Sequence, residues 1–93
     1  IEKVFEDNNI ELVFNLAAET HVDRSIENPE IFIETNVLGT LNILEVARCK
    51  WLTNEQKNNN FKFIHVSTDE VFGPIPDEVA AANEQTAYRP ANP

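Results

Sequence analysis

The chain has 93 residues, enough for one small domain, and carries a formal net charge of −9. This acidity argues against a nucleic-acid partner or an anionic membrane surface, because a negative protein cannot displace the counterions of a polyanion. No apolar run approaches the roughly 20 residues of a membrane span. The single cysteine cannot form an internal disulfide, and no Cys/His cluster indicates a metal site. The cytoplasm is the expected compartment.

The first segments predict the end of a helix followed by a parallel strand. Apolar residues recur at helical spacing over residues 1–7, and Asn8-Asn9 interrupts the pattern. Residues 10–16 are almost continuously apolar, which is typical of a parallel strand covered on both faces. Ala17-Ala18 then lead into a polar loop.

Asn28-Pro29-Glu30 favours a helix start, because it combines a side-chain acceptor, a proline with fixed φ and a negative charge near the positive dipole end. We predict one helix from Pro29 to about Lys50. Its apolar residues extend beyond a single face, so the helix is expected to contact the sheet and a second body. These residues are Ile33, Val37, Leu38, Leu41, Ile43, Leu44, Val46 and Ala47.

The segment from Phe61 to Val66 predicts a second strand, reached through a polar connection whose base Trp51 anchors. Strand, helix and strand would then complete one parallel crossover. Residues 73–93 contain four prolines and show no convincing period, which indicates a lid-like loop.

A hydroxyl and two consecutive carboxylates, Thr68, Asp69 and Glu70, follow the second strand. Burying carboxylates without partners is costly, so these residues need a role. One interpretation is that residues 67–69 form a polar turn or helix cap. The other is acid/base work, since neighbouring carboxyl groups in different surroundings can differ in protonation. Composition does not decide between the two.

Two segments resemble signatures of the nucleotide-sugar 4,6-dehydratases, which are extended short-chain dehydrogenase/reductases. The first is the run Asn-Leu-Ala-Ala-Glu-Thr-His-Val-Asp-Arg-Ser-Ile at residues 15–26, and the second is Thr-Asp-Glu at 68–70. The resemblance covers the chain from about residue 10 onwards. It implies an α/β fold, namely part of a Rossmann-type doubly wound parallel sheet with one strand-helix-strand crossover plus flanking segments. It also implies bound NAD, a nucleotide-sugar substrate and a homodimer formed through the long helix; a helix sandwiched within one monomer is the alternative.

The family's glycine-rich phosphate loop and its Tyr-x-x-x-Lys motif are expected to lie outside residues 1–93. The only glycines are Gly39 and Gly73, so no Gly-x-x-Gly-x-x-Gly loop can be written. Four residues after Tyr88 stands Asn92 rather than a lysine, so we expect Tyr88 to be a loop or packing residue. The chain is then the central part of an NAD-binding domain, and the isolated chain is expected to bind NAD poorly and to turn over nothing.

The resemblance also implies roles for individual residues. Glu70 would remove the C5 proton of the sugar, Asp69 would protonate the departing C6 hydroxyl, and Thr68 would hydrogen-bond the C4 oxygen. The implied cofactor-binding residues are Leu16, Ala17, Ala18, Asn36, Val66 and Ser67. The implied substrate-binding residues are Glu19, His21, Ser25 and Thr68.

Each of these roles has a plainer alternative. The two alanines also permit close helix packing, Asn36 could be an exposed mid-helix residue, and His21 could be structural. At the level of function, a 4-epimerase or decarboxylase of the same superfamily needs no acid pair after the threonine, so Asp69-Glu70 favours dehydration. A non-catalytic fragment is the alternative from another class.

Overall fold

The computed structural model describes residues 1–52, 60–76 and 81–93. Within these ranges two strands and a series of helices alternate along the chain. In order they are α1 (Glu2–Asp7), β1 (Leu12–Asn15), α2 (Val22–Glu27), α3 (Pro29–Phe32), a π-helical segment (Ile33–Gly39), α4 (Thr40–Leu52), β2 (Lys62–His65) and a 3₁₀ turn (Asp69–Phe72). Most of the predicted polar connection, and part of the predicted lid-like loop, fall outside the described residues.

Strands β1 and β2 pair in parallel, as predicted, although each is shorter than its apolar run. The register places Leu12 beside Lys62 and Asn15 beside His65. Because parallel strands end at the same edge, the residues that follow β1 and β2 are brought together there. This edge carries the polar residues singled out in the sequence.

The predicted helix from Pro29 is continuous to Leu52, but its centre is not α-helical. Pro29 occupies the first turn as expected, whereas Asn28 makes no side-chain cap bond, so that detail of the prediction is wrong. The π-helical segment lies between α3 and α4. Apolar residues continue on both sides of it, so periodicity alone gave no sign of the wider turn. Such segments are rare and frequently occur at functional sites.

The predicted polar loop after β1 contains a short helix, α2, which the sequence analysis missed. Ser25 of this helix is only 2% exposed, and its hydroxyl donates to the carbonyl of Val22 at 2.6 Å. Ile26 stands four positions after Val22, so the helix has an apolar pair at helical spacing. Six residues were too few for this pattern to stand out from a loop.

Burial is sparse among the described residues, where Phe32 and Ala47 are the buried hydrophobic side chains. The expectation that β1 is covered on both faces is wrong for this structure, since Phe14 remains 58% exposed. Two strands offer too narrow a sheet to be covered on both sides. One stripe of the long helical run is also exposed. It consists of Ile33, Val37, Leu41 and Leu44.

Trp51 anchors the end of α4, as predicted. Its indole Nε1 donates to the carbonyl of Ile10 at 2.7 Å. Its ring stacks on Phe61, with centroids 5.1 Å apart and planes inclined by 2°, and Phe5 lies at 6.0 Å on a tilted approach. The cluster therefore ties α1, the start of β1, α4 and the start of β2 together at the edge opposite the polar residues.

Replacing Trp51 by leucine should lower the free energy of unfolding of the protein by about 2 kcal/mol, since a stacked aromatic pair and a hydrogen bond are both lost. Trp51→Phe keeps an aromatic ring and loses the N–H donor, so its cost should be about 1 kcal/mol. Urea denaturation measures both. Equal losses for the two variants would show that the hydrogen bond, rather than the ring contact, carries the effect.

Candidate functional site

A cavity of about 280 Å³ opens at the carboxyl ends of β1 and β2. This is the edge where open parallel sheets place their ligands. Its lining comes from the loop after β1, from the helical run, from the segment after β2 and from the end of the chain. The polar and small residues among the lining are Ala17, Ala18, Glu19, Thr20, Ser25, Asn36, Thr40, His65, Ser67, Thr68, Glu70 and Asn92.

Asn15 joins the two strand ends beneath this cavity. It is only 4% exposed, and its Nδ2 lies 3.2 Å from His65 Nδ1 and 3.3 Å from Thr40 Oγ1. The side-chain Oδ1 of Asn15 accepts from the backbone N–H of Ala17 at 3.3 Å. The backbone carbonyl of Asn15 accepts from the Val66 N–H at 3.0 Å. With Nδ2 as donor, His65 Nδ1 is an acceptor and its proton resides on Nε2. The network fixes the directions in which both loops leave the sheet.

Asn36, from the π-helical segment, holds the loop after β1 by two hydrogen bonds. Its Oδ1 accepts from the backbone N–H of Glu19 at 2.9 Å, and its Nδ2 donates to the carbonyl of Glu19 at 3.0 Å. The side chain is half-buried, so the interpretation of Asn36 as an exposed mid-helix residue is wrong. It acts as a bidentate clamp between the helical run and the cavity wall.

Thr68 caps the turn that presents the two carboxylates. Its Oγ1 accepts from the backbone N–H of Glu70 at 3.3 Å and lies 3.3 Å from Asp69 Oδ1, to which it donates. The turn-and-cap interpretation is therefore confirmed as local structure. The same turn separates the carboxylates, because Glu70 lines the cavity whereas Asp69 lines a neighbouring groove with Phe72 and Tyr88.

The end of the described chain packs back onto this turn. Arg89 N–H donates to the carbonyl of Val71 at 2.9 Å, and the Tyr88 ring lies 5.6 Å from that of Phe72. Tyr88 lies in a loop and is 76% exposed, which agrees with the prediction of a loop or packing residue. Residues 88–92, which we call the return segment, form one wall beside Glu70.

Gly73 permits the close approach of the return segment. It has φ of 66°, and a Cβ placed there would lie 2.1 Å from the carbonyl oxygen of Arg89. Gly73→Ala should therefore displace the return segment and lower the unfolding free energy by at least about 1 kcal/mol. Gly39→Ala is the matched control, because its Cβ would meet the carbonyl of Glu34 at an ordinary 3.7 Å. Thermal denaturation in which Gly39→Ala lost more stability than Gly73→Ala would contradict this.

Most of the residues singled out in the sequence converge on the cavity. Among the cofactor-binding candidates, Leu16 does not line it and is 66% exposed. Among the substrate-binding candidates, His21 sits at the start of α2 outside the lining, and the Ser25 hydroxyl donates within its own helix. The candidates that do line the cavity are Ala17, Ala18, Glu19, Ser25, Asn36, Val66, Ser67, Thr68 and Glu70.

The sequence analysis missed four residues that build this site: Asn15, Thr40, His65 and Asn92. Asn15 carried a usable signal, because an amide at the end of an apolar strand needs partners when it is buried. Thr40 and His65 supply those partners from elements 25 and 50 residues away. Contacts at that separation are set by the crossover and cannot be inferred from local spacing.

The titratable side chains at the cavity are those of Glu19, Glu70 and His65. Two side chains with shifted pKa values lie on the exposed surface of α4. There the hydrogen bond from Arg48 holds the pKa of the Glu45 carboxyl below its usual value, and the same bond raises the pKa of Arg48. Neither residue lines the cavity.

Across residues 1–52, 60–76 and 81–93, no three Asp, Glu, His or Cys side chains converge as ligands for a metal ion. The same part of the chain contains no helix with the length and apolarity to cross a membrane.

The whole chain, residues 1–93, matches the GDP-mannose 4,6 dehydratase family. It is 51% identical over its full length to a dTDP-glucose 4,6-dehydratase of Salmonella typhimurium, of which it spans 28%. A crystal structure of UDP-glucose 4-epimerase superposes on 98% of the chain with a TM-score of 0.77 and 33% identity, over 25% of that protein. The structure of RMD from Pseudomonas aeruginosa complexed with NADPH also superposes on this chain, with a TM-score of 0.66 and 26% identity. The superposition covers 88% of this chain and 26% of the RMD chain.

Proposed function

Because the chain belongs to the GDP-mannose 4,6 dehydratase family, we propose that it is part of a nucleotide-sugar 4,6-dehydratase that converts dTDP-glucose to dTDP-4-keto-6-deoxyglucose and water. The choice of nucleotide and sugar is supported by the printed name of the relative that is 51% identical. The observation that carries the proposal is the placement of Thr68 and Glu70 beside Ala17 and Ala18 in one cavity at the strand ends.

The fold is α/β, part of a Rossmann-type parallel sheet shared with the epimerase structure. The chain spans 28% of the Salmonella relative. We propose that residues 1–93 are the central part of an NAD-binding domain, with the glycine-rich loop and the Tyr-x-x-x-Lys motif elsewhere in a longer protein. The exposed β1 side chains are consistent with further elements of a longer protein that cover the faces of this sheet.

The lining of the cavity suits the nicotinamide end of NAD. Ala17 and Ala18 have side chains small enough for a flat ring to approach, Val66 offers an apolar edge, and Ser67 offers a hydroxyl. These residues would hold NAD, whereas Leu16 lies outside the lining and would contact the cofactor only beyond this cavity. Asn36 would keep the alanine loop in place through its bonds to Glu19. When bound, NAD supplies a transient acceptor for the hydride of C4, which is returned to C6 within the same turnover.

Glu70 is the proposed base at C5. A ketone at C4 makes the C5 hydrogen acidic, since the electron pair left on C5 is delocalised into the carbonyl oxygen. The Glu70 carboxylate can accept that proton. The Thr68 hydroxyl, which donates to Asp69 Oδ1 in this structure, would turn to donate its one hydrogen bond to the C4 oxygen as negative charge develops there. Both side chains line the same cavity, so one sugar can contact both.

Asp69 is the proposed acid at C6. Protonating the C6 hydroxyl lets it leave as water, and a C5–C6 double bond conjugated with the C4 carbonyl remains. Since Asp69 lines the groove on the other side of Thr68, the sugar must lie across Thr68 with C5 towards Glu70 and C6 towards Asp69. Once C6 has received the hydride that was taken from C4, Glu70 returns a proton to C5, which completes the 6-deoxy product.

A second candidate function is a UDP-sugar 4-epimerase, favoured by the TM-score of 0.77 with the UDP-glucose 4-epimerase structure. A 4-epimerase or decarboxylase needs no acid at C6, so the adjacent Asp69 and Glu70 favour dehydration.

The full-length protein is further proposed to be a cytoplasmic homodimer. The exposed stripe of Ile33, Val37, Leu41 and Leu44 supports a second copy as the partner of the long helix.

The test is product analysis with the purified full-length protein that contains this segment. It is incubated separately with dTDP-glucose, GDP-mannose and UDP-glucose, and the nucleotide sugars are separated by chromatography and identified by mass spectrometry. We expect dTDP-glucose to lose one water. Conversion of UDP-glucose to an isomer of the same mass but different retention would establish the epimerase instead, and no conversion of any of the three sugars would contradict the proposed dehydratase.

A further inference from the structure

The side-chain amide of Asn92 contacts the carboxylate that we propose as the base. Asn92 Nδ2 donates to Glu70 Oε2 at 2.9 Å, and both residues line the cavity. Asn92 is half-buried, whereas Glu70 is exposed. A hydrogen bond to an ionised acceptor is roughly twice as strong as one between neutral groups, so the contact is suited to holding a carboxylate.

The return segment holds this amide in place by several independent contacts. Arg89 N–H binds the carbonyl of Val71, the Tyr88 ring packs on Phe72, and the missing side chain of Gly73 admits the Arg89 carbonyl. Proline follows both Arg89 and Asn92, which restricts the two residues to extended backbone. The position of the amide therefore depends on more than one contact of the return segment.

We propose that Asn92 is a positioning residue for Glu70, which holds one carboxylate oxygen so that the other faces the C5 hydrogen. This inference rests on the proposed function, since it assigns Asn92 a part in that same site. Loss of the donor should therefore change the orientation of Glu70, and a negative charge in its place should also change the pH at which Glu70 acts as a base.

The titratable and charged groups near Glu70 come from several elements. Glu19 and His65 line the same cavity, Asp69 precedes Glu70 in the turn, and Arg89 belongs to the return segment. Glu19 and Asp69 are, like Glu70, carboxyl residues. A neutral donor such as Asn92 stabilises Glu70 without forming an ion pair that would compete with a substrate.

The experiment compares Asn92→Asp and Asn92→Leu in the full-length protein. The first readout is the titration of the Glu70 carboxyl carbon by NMR, assigned from the resonance that disappears in Glu70→Gln. The second is the rate of C5 hydrogen exchange with solvent as a function of pH. We expect Asn92→Asp to move the NMR midpoint and the acidic limb of exchange upwards by about one pH unit, because it places a like charge beside the carboxylate. Asn92→Leu should move both by less, with KM changed less than kcat.

Asn83→Asp is the matched control. It adds the same charge to the C-terminal region, and its side-chain oxygen can still accept from Gln85 N–H, as Asn83 Oδ1 does at 2.8 Å. Both readouts should be unchanged in this variant. An unmoved Glu70 midpoint in Asn92→Asp, or an equal shift in Asn83→Asp, would overturn the proposal. A shifted midpoint in a protein that dehydrates no sugar would support the contact and reject the proposed function, so the two failures are distinguishable.

Discussion

Glu70→Gln in the full-length protein should lower formation of the 4-keto-6-deoxy product by about 100- to 10,000-fold, the usual contribution of a positioned base. The glutamine amide cannot accept the C5 proton, so the reaction should stop after oxidation at C4. We expect the 4-keto sugar nucleotide that still carries its C6 hydroxyl to accumulate. Mass spectrometry after rapid quenching detects that species, and the C5 hydrogen should no longer exchange with solvent deuterium.

Asp69→Asn tests the other half of the acid/base division. Because Glu70 is intact, C5 exchange should persist in this variant while water loss slows. Glu84→Gln removes a carboxylate from the exposed turn near residue 83 and should behave as the unaltered protein. The division would be wrong if Glu70→Gln formed product at the normal rate, or if Asp69→Asn abolished C5 exchange and Glu70→Gln did not.

The second large effect is expected for Asn36→Asp, which changes one atom of the clamp on Glu19. One oxygen of the introduced carboxylate can still accept from the Glu19 N–H. The other oxygen replaces Nδ2, which in the unaltered protein donates to the Glu19 carbonyl at 3.0 Å, and therefore faces that carbonyl. Two acceptors then oppose each other, so the unfolding free energy should fall by about 1–3 kcal/mol. Calorimetric titration should also show weaker NAD binding, because the clamped loop carries Ala17 and Ala18.

Protonation of the introduced carboxyl restores a donor, so the stability loss in Asn36→Asp should shrink as the pH is lowered. Asn42→Asp is the control, since Asn42 is exposed on the same helical run and the same charge is added there. A pH-independent loss, or an equal loss in Asn42→Asp, would show that charge on the helix rather than the clamp is responsible.

The strands and the long helix could be predicted from the sequence because each has a strong local signal. The apolar runs marked β1 and β2, and Pro29 marked the first turn of the helix. The predictions that were wrong concern features that depend on packing rather than on local sequence. Phe14 reads as a core residue but is exposed here, and α2 is too short for its apolar pair to be distinguished from a loop.

The location of the site could be predicted because candidate site residues directly follow both strands. Thr68 and Glu70 could be placed at a strand end from spacing alone. The contacts that shape the cavity could not, because Asn15 with His65, Asn36 with Glu19, and Asn92 with Glu70 join positions 17 to 50 residues apart. The π-helical segment that contains Asn36 could not be predicted either, because the apolar pattern continues on both sides of it.

The most direct test is the structure of the full-length Glu70→Gln protein with NAD and dTDP-glucose bound. We predict that the sugar lies across Thr68, with the threonine hydroxyl within hydrogen-bond distance of the C4 oxygen, residue 70 facing C5 and Asp69 facing the C6 hydroxyl. A sugar whose C5 and C6 lie away from both positions would contradict the proposed acid/base site.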